Sequence, residues 1–541
     1  MLNFAKFQRP QRYIGNEWNV VKKSHSGKIT VCLSYPDLYE IGMSNLGLRI
    51  IYGLLNEHTD FVCERVFMPG LDLAEYLKQN NITLFSLETK TPLRQFDILG
   101  FNFGYELNFT NFLMMLSLAH IPLETKDRKN TIIFGGGIAN PEPLAEFVDI
   151  FCLGEFEANA DIFVEILRKY KTKDARLEAF AEREGFYVPS FYSVELKNNR
   201  YVFEKKYPYA CFPLKRAHTK DLNNVYYPTR WLTPYQQLIH DRAQVEIARG
   251  CPNYCAFCQA RQIYFPYREK KVSVIKETIK NIYENSGYEN FSLLSLSASD
   301  HSCIEEIIDE TYEYCEQRKI GLALPSLRID DITGRLYKRI VSLKKASLTL
   351  AVEAASEHLR EKMNKKININ RLFEAAEIIR GLNTKQIKVY FMFGLPYEQE
   401  EDLVAIGNFL SLLQKGIRCK LNASINIFVP KPFSKWQAVI MDPEEVLEFK
   451  KDFIYKHIPK TSRIKISLSF TKKSILEAIL ARADRKFSSV IKKAFNYGAK
   501  FDGYSEFFSW EVWRKVIAEE QVDSKFYLEA QTENFPWSLI V

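Results

Sequence analysis

Three cysteines near the middle of the chain are spaced as metal ligands. In ARGCPNYCAFCQAR, residues 248–261, they are Cys251, Cys255 and Cys258, and the next cysteine or histidine is His301. Thiolates hold zinc ions and iron–sulfur clusters, and a closed structural zinc site needs four ligands. Three thiolates on a cluster of four irons keep one iron without a protein ligand. An open position of this kind lets a metal centre bind a reactant.

Zinc is the alternative, because His240, His301 or Cys303 could supply a fourth ligand. A protein that binds iron–sulfur or zinc without catalysis, to sense redox state or hold a partner, is a hypothesis from another class. It predicts metal binding without consumption of a cofactor.

The elements around the cysteines alternate between strand and helix. Six short apolar segments are separated by charged segments with apolar residues at helical spacing. The six cover residues 243–250, 291–299, 320–328, 347–355, 388–396 and 421–430. This alternation predicts a parallel sheet or barrel, whose active site lies at the carboxyl ends of the strands. The cysteines directly follow the first segment.

The first 185 residues contain a second set of strands and helices. VCLSYPDLYEIGMSNLGLRIIYGLL predicts strand, loop and helix, and DILGFNF, TIIFGGGI and DIFCLGEFE add short strands. We expect a doubly wound parallel sheet that binds ligands at its carboxyl edge. Gly135, Gly136 and Gly137 would let a ligand approach the backbone, although an ordinary turn also uses glycine.

Four regions follow: residues 1–185, a connector over 186–240 that reads as a hairpin or extended segment, the strand–helix region over 241–440, and a C-terminal region over 441–541 with amphipathic helices. In the last, charged residues predict a solvated face or a cap over the barrel mouth: Arg482, Asp484, Arg485 and Asp502.

The composition is that of a globular protein. Of 541 residues, 46% are hydrophobic and 26% are charged, with a formal net charge of +8. No segment approaches the roughly 18 consecutive apolar residues of a membrane span, so a cytoplasmic protein is expected. Ten cysteines in this length are too few for a disulfide scaffold. The basic balance permits an anionic partner such as RNA without requiring one.

The spacing C-x3-C-x2-C, with Phe257 before the last cysteine, resembles the signature of the radical S-adenosylmethionine (radical SAM) superfamily. The resemblance implies that Cys251, Cys255 and Cys258 hold a 4Fe–4S cluster whose open iron binds S-adenosylmethionine. One electron then cleaves the cofactor to methionine and a 5'-deoxyadenosyl radical, which calls for an electron donor such as flavodoxin or ferredoxin.

The fold class implied is α/β. We expect an N-terminal doubly wound domain of the Rossmann-like, cobalamin-binding type. A partial (β/α)6 radical SAM barrel follows it, and the C-terminal region is mainly helical.

The same resemblance implies cofactor contacts at the strand ends, namely Phe257, Ser297, Asp300, Arg328, Glu353 and Gly394. Ser297 and Asp300 follow the second strand, where the superfamily binds the amino group. Arg328 either binds the carboxylate or pairs with a nearby aspartate. Glu353 is a candidate for the ribose hydroxyls or the ammonium group. Gly394, in FMFGLPYE, stands where the superfamily meets adenine, and it also suits a strand-end turn. No catalytic side chain is assigned.

The N-terminal region resembles the cobalamin-binding domain that precedes the barrel in one large subfamily, and the whole chain is most similar to an uncharacterised family of that type. Residues 37–42 have the spacing of Asp-x-His-x-x-Gly, with tyrosine in place of the cobalt-binding histidine. The implied contacts are Asp37, Tyr39, Gly42, Gly135, Gly136 and Gly137. Cobalamin either binds without a lower protein ligand, or the domain has lost or exchanged it.

The predicted function is therefore radical SAM catalysis on a substrate that the sequence does not name. With cobalamin, methyl transfer or a radical rearrangement becomes available. The alternative is methylthio or methyl transfer to RNA or a ribosomal protein, suggested by the kinship to methylthiotransferases. Those enzymes carry three further cluster cysteines near the N-terminus, and Cys32, Cys63 and Cys152 lack that compact pattern.

Overall fold

The computed structural model describes residues 3–324, 348–369, 371, 374, 386–417, 419–529 and 532–541. Arg328 lies outside these residues, as does the end of the third predicted barrel strand.

The N-terminal region contains a six-stranded sheet. Its strands are β1 (Ile29–Tyr35), β2 (Phe61–Phe67), β3 (Ile98–Asn102), β4 (Ile132–Gly136), β5 (Ile150–Cys152) and β6 (Phe186–Tyr187). The order is β2-β1-β3-β4-β5-β6, parallel except for β6. Strand order reverses between β1 and β3, and ligands of doubly wound folds bind beyond the strand ends at such a point. The doubly wound prediction is confirmed.

Helices cover both faces of this sheet. They are Leu46–Glu57, Leu71–Gln79, Phe109–Leu118, Phe156–Lys169 and Lys173–Ala181, with the short helices Gln11–Ile14 and Tyr39–Gly42 at the start of the chain. Every residue of β2 is buried, including Glu64 and Arg65, as in a parallel sheet covered on both sides.

A hairpin connects this sheet to the next. Strands β7 (Tyr192–Lys197) and β8 (Arg200–Lys205) pair antiparallel. Asn198 and Asn199 between them have φ angles of 49° and 59°. Two consecutive positive φ angles are typical of the type I′ turn that suits a two-residue hairpin.

The following strands are β9 (Ala243–Glu246), β10 (Ala248–Arg249), β11 (Arg268–Glu269), β12 (Asn290–Leu294), β13 (Gly321–Ala323), β14 (Leu348–Glu353), β15 (Gln386–Phe393), β16 (Lys420–Ile427) and β17 (Ile464–Leu468). Parallel pairing gives the orders β13-β12-β9 and β14-β15-β16-β17, and β10 pairs antiparallel with β11. Each of the six predicted segments contains one parallel strand. β17 adds a seventh strand within the region that we expected to be mainly helical.

Helices alternate with these strands and form most of the C-terminal region. They are Gln259–Ile263, Val272–Ser286, Ile304–Gln317, Glu357–Lys362, Glu400–Gly416, Glu444–His457, Thr471–Arg482, Phe487–Asn496, Trp510–Glu519 and Ser524–Glu529. Single 3-10 turns are Phe4–Lys6, Leu93–Gln95, Glu106–Asn108, Thr125–Asp127, Glu142–Leu144, Pro189–Phe191 and Ala298–Asp300. None of the described helices combines the length and apolar character that crossing a membrane needs.

The charged residues of the C-terminal region correct our expectation of a solvated face, because Arg482, Asp484 and Asp502 are buried. Arg485 donates to Glu142 and to the Tyr187 hydroxyl, at 3.0 and 2.7 Å. Asp484 accepts from Tyr201 at 3.1 Å and from Tyr527 at 2.9 Å. These side chains are held inside the protein because polar groups of distant segments surround them, and those partners are not visible in a local pattern.

Candidate active site

The three cysteines lie in the loop between β10 and the helix Gln259–Ile263. Gly250, just before Cys251, has a φ of 84°, and a Cβ there would lie 2.8 Å from the backbone oxygens of Pro266 and Tyr264. Only glycine fits this turn without strain. The glycine therefore allows the chain to leave β10 directly into the cysteine loop.

Backbone contacts fasten this loop to the segments that follow β14 and β16. Ala256 N donates to the Met363 carbonyl at 2.8 Å, beyond β14, and Trp436 N donates to the Ala256 carbonyl at 3.1 Å, beyond β16. Ala256, Met363 and Trp436 belong to a small buried apolar cluster, and Phe257 packs against it. The cysteine loop, which follows β10, is thus held by the segments that follow β14 and β16.

All three cysteines are free and half-buried. Burial raises the pKa of Cys255 and Cys258, and the Lys365 ammonium partly offsets this effect at both thiols. Metal ligation requires thiolates, so binding of a metal at these cysteines would release their protons.

Asp300 lies beside the cysteine loop, whereas Ser297 is enclosed nearby. Asn253 Nδ2 lies 2.5 Å from Asp300 Oδ2 and 3.6 Å from Cys251 Sγ. Ser297 is buried, and its backbone N donates to Ser295 Oγ at 3.2 Å. The structure therefore brings Asp300 to the first cysteine.

Glu353 ends β14 with a φ of 67°, beside an irregularity in the pairing with β15. Such a backbone is strained in a residue other than glycine, and strain of this kind gathers at functional sites. Burial raises the pKa of its carboxyl, and the charge of Lys365 opposes the rise. Within the described residues, neither this carboxylate nor the Lys365 ammonium has a hydrogen bond or ion pair.

Gly394 forms a tight turn after β15, with a φ of 72°. Its backbone N donates to Glu398 Oε1 at 3.0 Å, and Lys450 holds that carboxylate at 2.8 Å. The Gly394 N–H is thus bonded within the protein, as expected for a strand-end turn.

A cavity of about 450 Å³ lies between the carboxyl edge of the N-terminal sheet and the barrel. Its inner part is apolar, with Val31, Leu55 and Phe163 between the sheet and two helices. Gly135, Gly136 and Gly137 form part of the rim, opposite Gln244 and Leu296 from the barrel. The predicted glycine run therefore lines a space that two regions of the chain enclose.

Two features of this cavity point to a ligand. Gln244 Oε1 is buried and has no hydrogen-bond partner, so it can accept from a ligand N–H. A Cβ built at Gly136 would have no heavy atom within 4 Å, so there is open space beside this backbone. Cys152 also lines the cavity, and burial raises the pKa of its thiol to about 12.

The other residues predicted to contact cobalamin, Asp37, Tyr39 and Gly42, do not line this cavity. The Tyr39 hydroxyl donates to Glu17 at 2.9 Å, and Asp37 accepts from Tyr504 at 2.7 Å. Gly42 lies against Phe67, whose ring a Cβ would meet at 2.3 Å. Asp37, Tyr39 and Gly42 are thus engaged within the protein and are not part of the cavity wall.

A cluster of buried ion pairs, which the sequence reasoning missed, joins the cavity to the cysteine loop. Arg249 contacts Glu155 at 3.0 Å, Glu157 at 2.8 Å and Glu246 at 2.8 Å. Arg268 contacts Glu155 at 2.5 Å. The only signal in the sequence is acidic residues directly after an apolar strand, which an ordinary helix start also explains.

Comparison with known proteins agrees with this architecture. The sequence model described as radical SAM proteins, N-terminal, matches residues 47–189, and that of the radical SAM superfamily matches residues 245–410. The chain is 25% identical over 469 residues to an uncharacterized protein of Methanocaldococcus jannaschii, covering 86% of this chain and 91% of that protein. It is 22% identical over 258 residues to the ribosomal protein uS12 methylthiotransferase of Caldanaerobacter subterraneus subsp. tengcongensis, covering 45% of this chain and 57% of that enzyme.

Two solved structures share the fold. TsrM, a radical S-adenosylmethionine methyltransferase from Kitasatospora setae solved with cobalamin and a [4Fe-4S] cluster, superposes with a TM-score of 0.53 at 10% identity, over 91% of this chain and 99% of that one. OxsB, a cobalamin-dependent S-adenosylmethionine radical enzyme solved with aqua-cobalamin and S-adenosylmethionine, gives 0.51 at 15% identity, over 81% and 58%. Two family models matched in chain order, on sheets of the expected type, show that the chain belongs to the radical SAM superfamily of enzymes.

Proposed function

We propose that Cys251, Cys255 and Cys258 hold a 4Fe–4S cluster, and that S-adenosylmethionine binds at its open iron. The cluster and cofactor supply one-electron cleavage to methionine and a 5'-deoxyadenosyl radical. The observation that carries this assignment is the half-buried cysteine loop with two groups of opposite charge, Glu353 and Lys365, close to it and otherwise unpaired within the described residues.

The surrounding residues have distinct parts in this proposal. The cofactor carries both an ammonium and a carboxylate, so Glu353 suits the first and Lys365 the second, with Asp300 as a further acceptor. Arg328 stays a candidate for the carboxylate. Phe257 and Gly394 act through packing and backbone turns.

The test is anaerobic reconstitution with iron, sulfide and a strong reductant, followed by mass spectrometry of the products. Wild type should release 5'-deoxyadenosine, and Cys255→Ser should not. Cys303→Ser is the matched control, because Cys303 is also half-exposed but lies outside the loop. Loss of metal in Cys303→Ser would favour the zinc alternative, in which this thiol is a ligand. An intact cluster without cofactor cleavage in the wild type would contradict the proposal.

We further propose that the interdomain cavity binds cobalamin. The apolar inner part of the cavity suits a flat aromatic group, and the glycine rim admits a large ring close to the backbone. The unpaired Gln244 Oε1 can accept a hydrogen bond from one of the ligand's amides. No histidine lines this cavity within the described residues, so the proposed binding has no imidazole below the cobalt. When bound, cobalamin would supply methyl-transfer chemistry. Titration with hydroxocobalamin, followed by absorbance, tests this proposal without requiring turnover.

Methylthio transfer to a ribosomal protein or RNA is a second candidate, favoured by the similarity to a uS12 methylthiotransferase. Against it, Cys32 and Cys63 lie on β1 and β2 in the sheet core, where burial raises the pKa of both thiols. A second cluster would double the iron content from about four to about eight per chain. Iron analysis of the reconstituted protein therefore separates the two candidates.

The proposal also needs a one-electron donor, and flavodoxin or ferredoxin is the class that we infer. We place the protein in the cytoplasm, because its ten free cysteines are typical of a reducing compartment.

A further inference from the structure

The ion-pair cluster described above lies where the N-terminal sheet meets the cysteine loop. Glu155 and Glu157 follow β5, and Arg249 is the second residue before Cys251. Arg249 and Arg268 are paired across β10 and β11, so the two arginines approach Glu155 from one two-stranded unit. The contact therefore ties the start of the cysteine loop to the loop that follows β5.

These charges are buried and balanced. The side chains of Arg249, Arg268, Glu155, Glu157 and Glu246 are each exposed by 9% or less. With Lys270, 3.9 Å from Glu246, the group contains three cations and three carboxylates. Removing one partner of a buried pair leaves an uncompensated charge, which then acts strongly on its neighbours.

The same side chains form part of the cavity wall. Glu155, Glu157, Glu246, Arg249 and Gly250 all line it. A molecule in the cavity thus lies against the carboxylates that hold Arg249, while Arg249 is two residues from the first proposed cluster ligand.

We infer that Arg249 is a positioning residue that couples the interdomain cavity to the cluster. A ligand in the cavity fixes the carboxylates of Glu155 and Glu157, and through Arg249 it fixes the start of the cysteine loop. Because coupling between two sites is reciprocal, the state of the cluster also changes the affinity of the cavity for its ligand. This inference rests on the proposed function, since it takes Cys251 as a cluster ligand.

The sign of the electrostatic effect can be stated in advance. Reduction adds a negative charge to the cluster, so removing a nearby carboxylate favours the reduced form. Glu157→Gln, which keeps the shape and an acceptor oxygen, should raise the midpoint potential of the cluster. Arg249→Gln should lower it. Opposite shifts from the two variants would not arise from loosened packing alone.

The experiment compares reconstituted wild type, Glu157→Gln, Arg249→Gln and a control by redox titration and EPR, with and without hydroxocobalamin. Asp149→Asn is the matched control. Asp149 forms a buried ion pair with Arg128 at 2.9 Å, but it precedes β5 and so lies at the opposite edge of the sheet from Glu157. In the wild type, we expect hydroxocobalamin to change the EPR spectrum of the cluster, and Glu157→Gln should reduce that change. Asp149→Asn should keep the wild-type spectrum and potential.

Several results would overturn the inference. One is a wild-type potential in both variants, and another is an equal shift of the same sign in both variants and in the control. A third is a cluster spectrum in the wild type that does not respond to bound hydroxocobalamin. If Arg249→Gln does not fold, the midpoint potential and the EPR response of Glu157→Gln, compared with those of Asp149→Asn, still test the inference. Failure of the proposed function would look different, because 5'-deoxyadenosine would then be absent in every protein, whatever the potentials.

Discussion

At the scale of single residues, two variants of Glu353 distinguish its effect on cofactor binding from the effect of its strained backbone on stability. Glu353→Gln keeps the strain and removes the charge, so S-adenosylmethionine should bind at least tenfold more weakly, since hydrogen bonds to charged groups contribute about 1.5–3 kcal/mol. Glu353→Gly removes the side chain and permits the φ of 67°. It should weaken binding equally, without loss of thermal stability, because strain of this kind costs about 1–3 kcal/mol. Equilibrium dialysis and thermal unfolding measure the two effects, and an unchanged affinity in both variants would exclude Glu353 from the cofactor site.

Gly250 allows a second prediction at this scale. An added Cβ would collide with the backbone of residues 264–267, which cannot move aside as a flexible side chain can. Gly250→Ala should therefore displace the cysteine loop and reduce the iron bound after reconstitution to well below half of the wild-type amount. Gly287→Ala is a suitable control, because Gly287 also has a positive φ, but a Cβ there meets nothing within 4 Å. Full iron loading in Gly250→Ala would show that the loop tolerates the shift.

At the scale of elements, alternation of apolar and helical segments was sufficient to predict β1, β3, β4 and β5 and one parallel strand in each of the six later segments, because covered parallel strands are short apolar runs. β2 was missed, since Glu64 and Arg65 interrupt the apolar run of FVCERVF. β17 was missed since its sequence IKISL has exposed residues at Lys465 and Ser467, as an edge strand does. Residues 37–42 have the expected spacing, but their partners, Glu17 and Tyr504, come from distant segments. Residue spacing predicts the local backbone conformation, whereas the direction of a side chain depends on tertiary contacts that form only in the folded chain.

The end of β4 offers a prediction for the cavity. Gly136 is the last residue of this strand and has open space at its Cβ position, so a larger side chain can enter the cavity without disturbing the sheet. Gly136→Val should weaken hydroxocobalamin binding by tenfold or more, equal to about 1.4 kcal/mol, and leave the unfolding midpoint nearly unchanged. Gly416→Val, equally open and not among the residues that line the cavity, is the control. Unchanged cobalamin affinity in Gly136→Val would move the ligand away from this rim.

At the scale of the whole molecule, the C-terminal region is bonded to the N-terminal region and to the segment that follows β16. Lys431, beyond β16, forms ion pairs with Glu106 of the N-terminal region at 2.8 Å and with Glu477 of the C-terminal region at 2.7 Å. Asp502 accepts from Thr110 at 2.6 Å, on a helix of the N-terminal region, and from Trp513 at 3.0 Å. These contacts therefore tie the C-terminal region to both of the regions that line the cavity.

Asp502 makes the brace sensitive to pH. Burial raises its pKa above the ordinary value of 3.8, against the opposing effect of its two hydrogen-bond donors. A carboxyl whose pKa is higher in the folded state stabilises the fold below pH 3.8, and this contribution is lost as the pH rises through the folded-state pKa. Asp502→Asn cannot ionise, so its stability relative to wild type should increase between pH 4 and pH 7, measured as urea unfolding midpoints. Asp60→Asn is a control with a different window, because the exposed Arg168 pair lowers the pKa of Asp60 to about 2, so its small effect relative to wild type should change below pH 4 and stay nearly constant between pH 4 and pH 7. A constant difference between Asp502→Asn and wild type across this range would mean that Asp502 has the same pKa folded and unfolded.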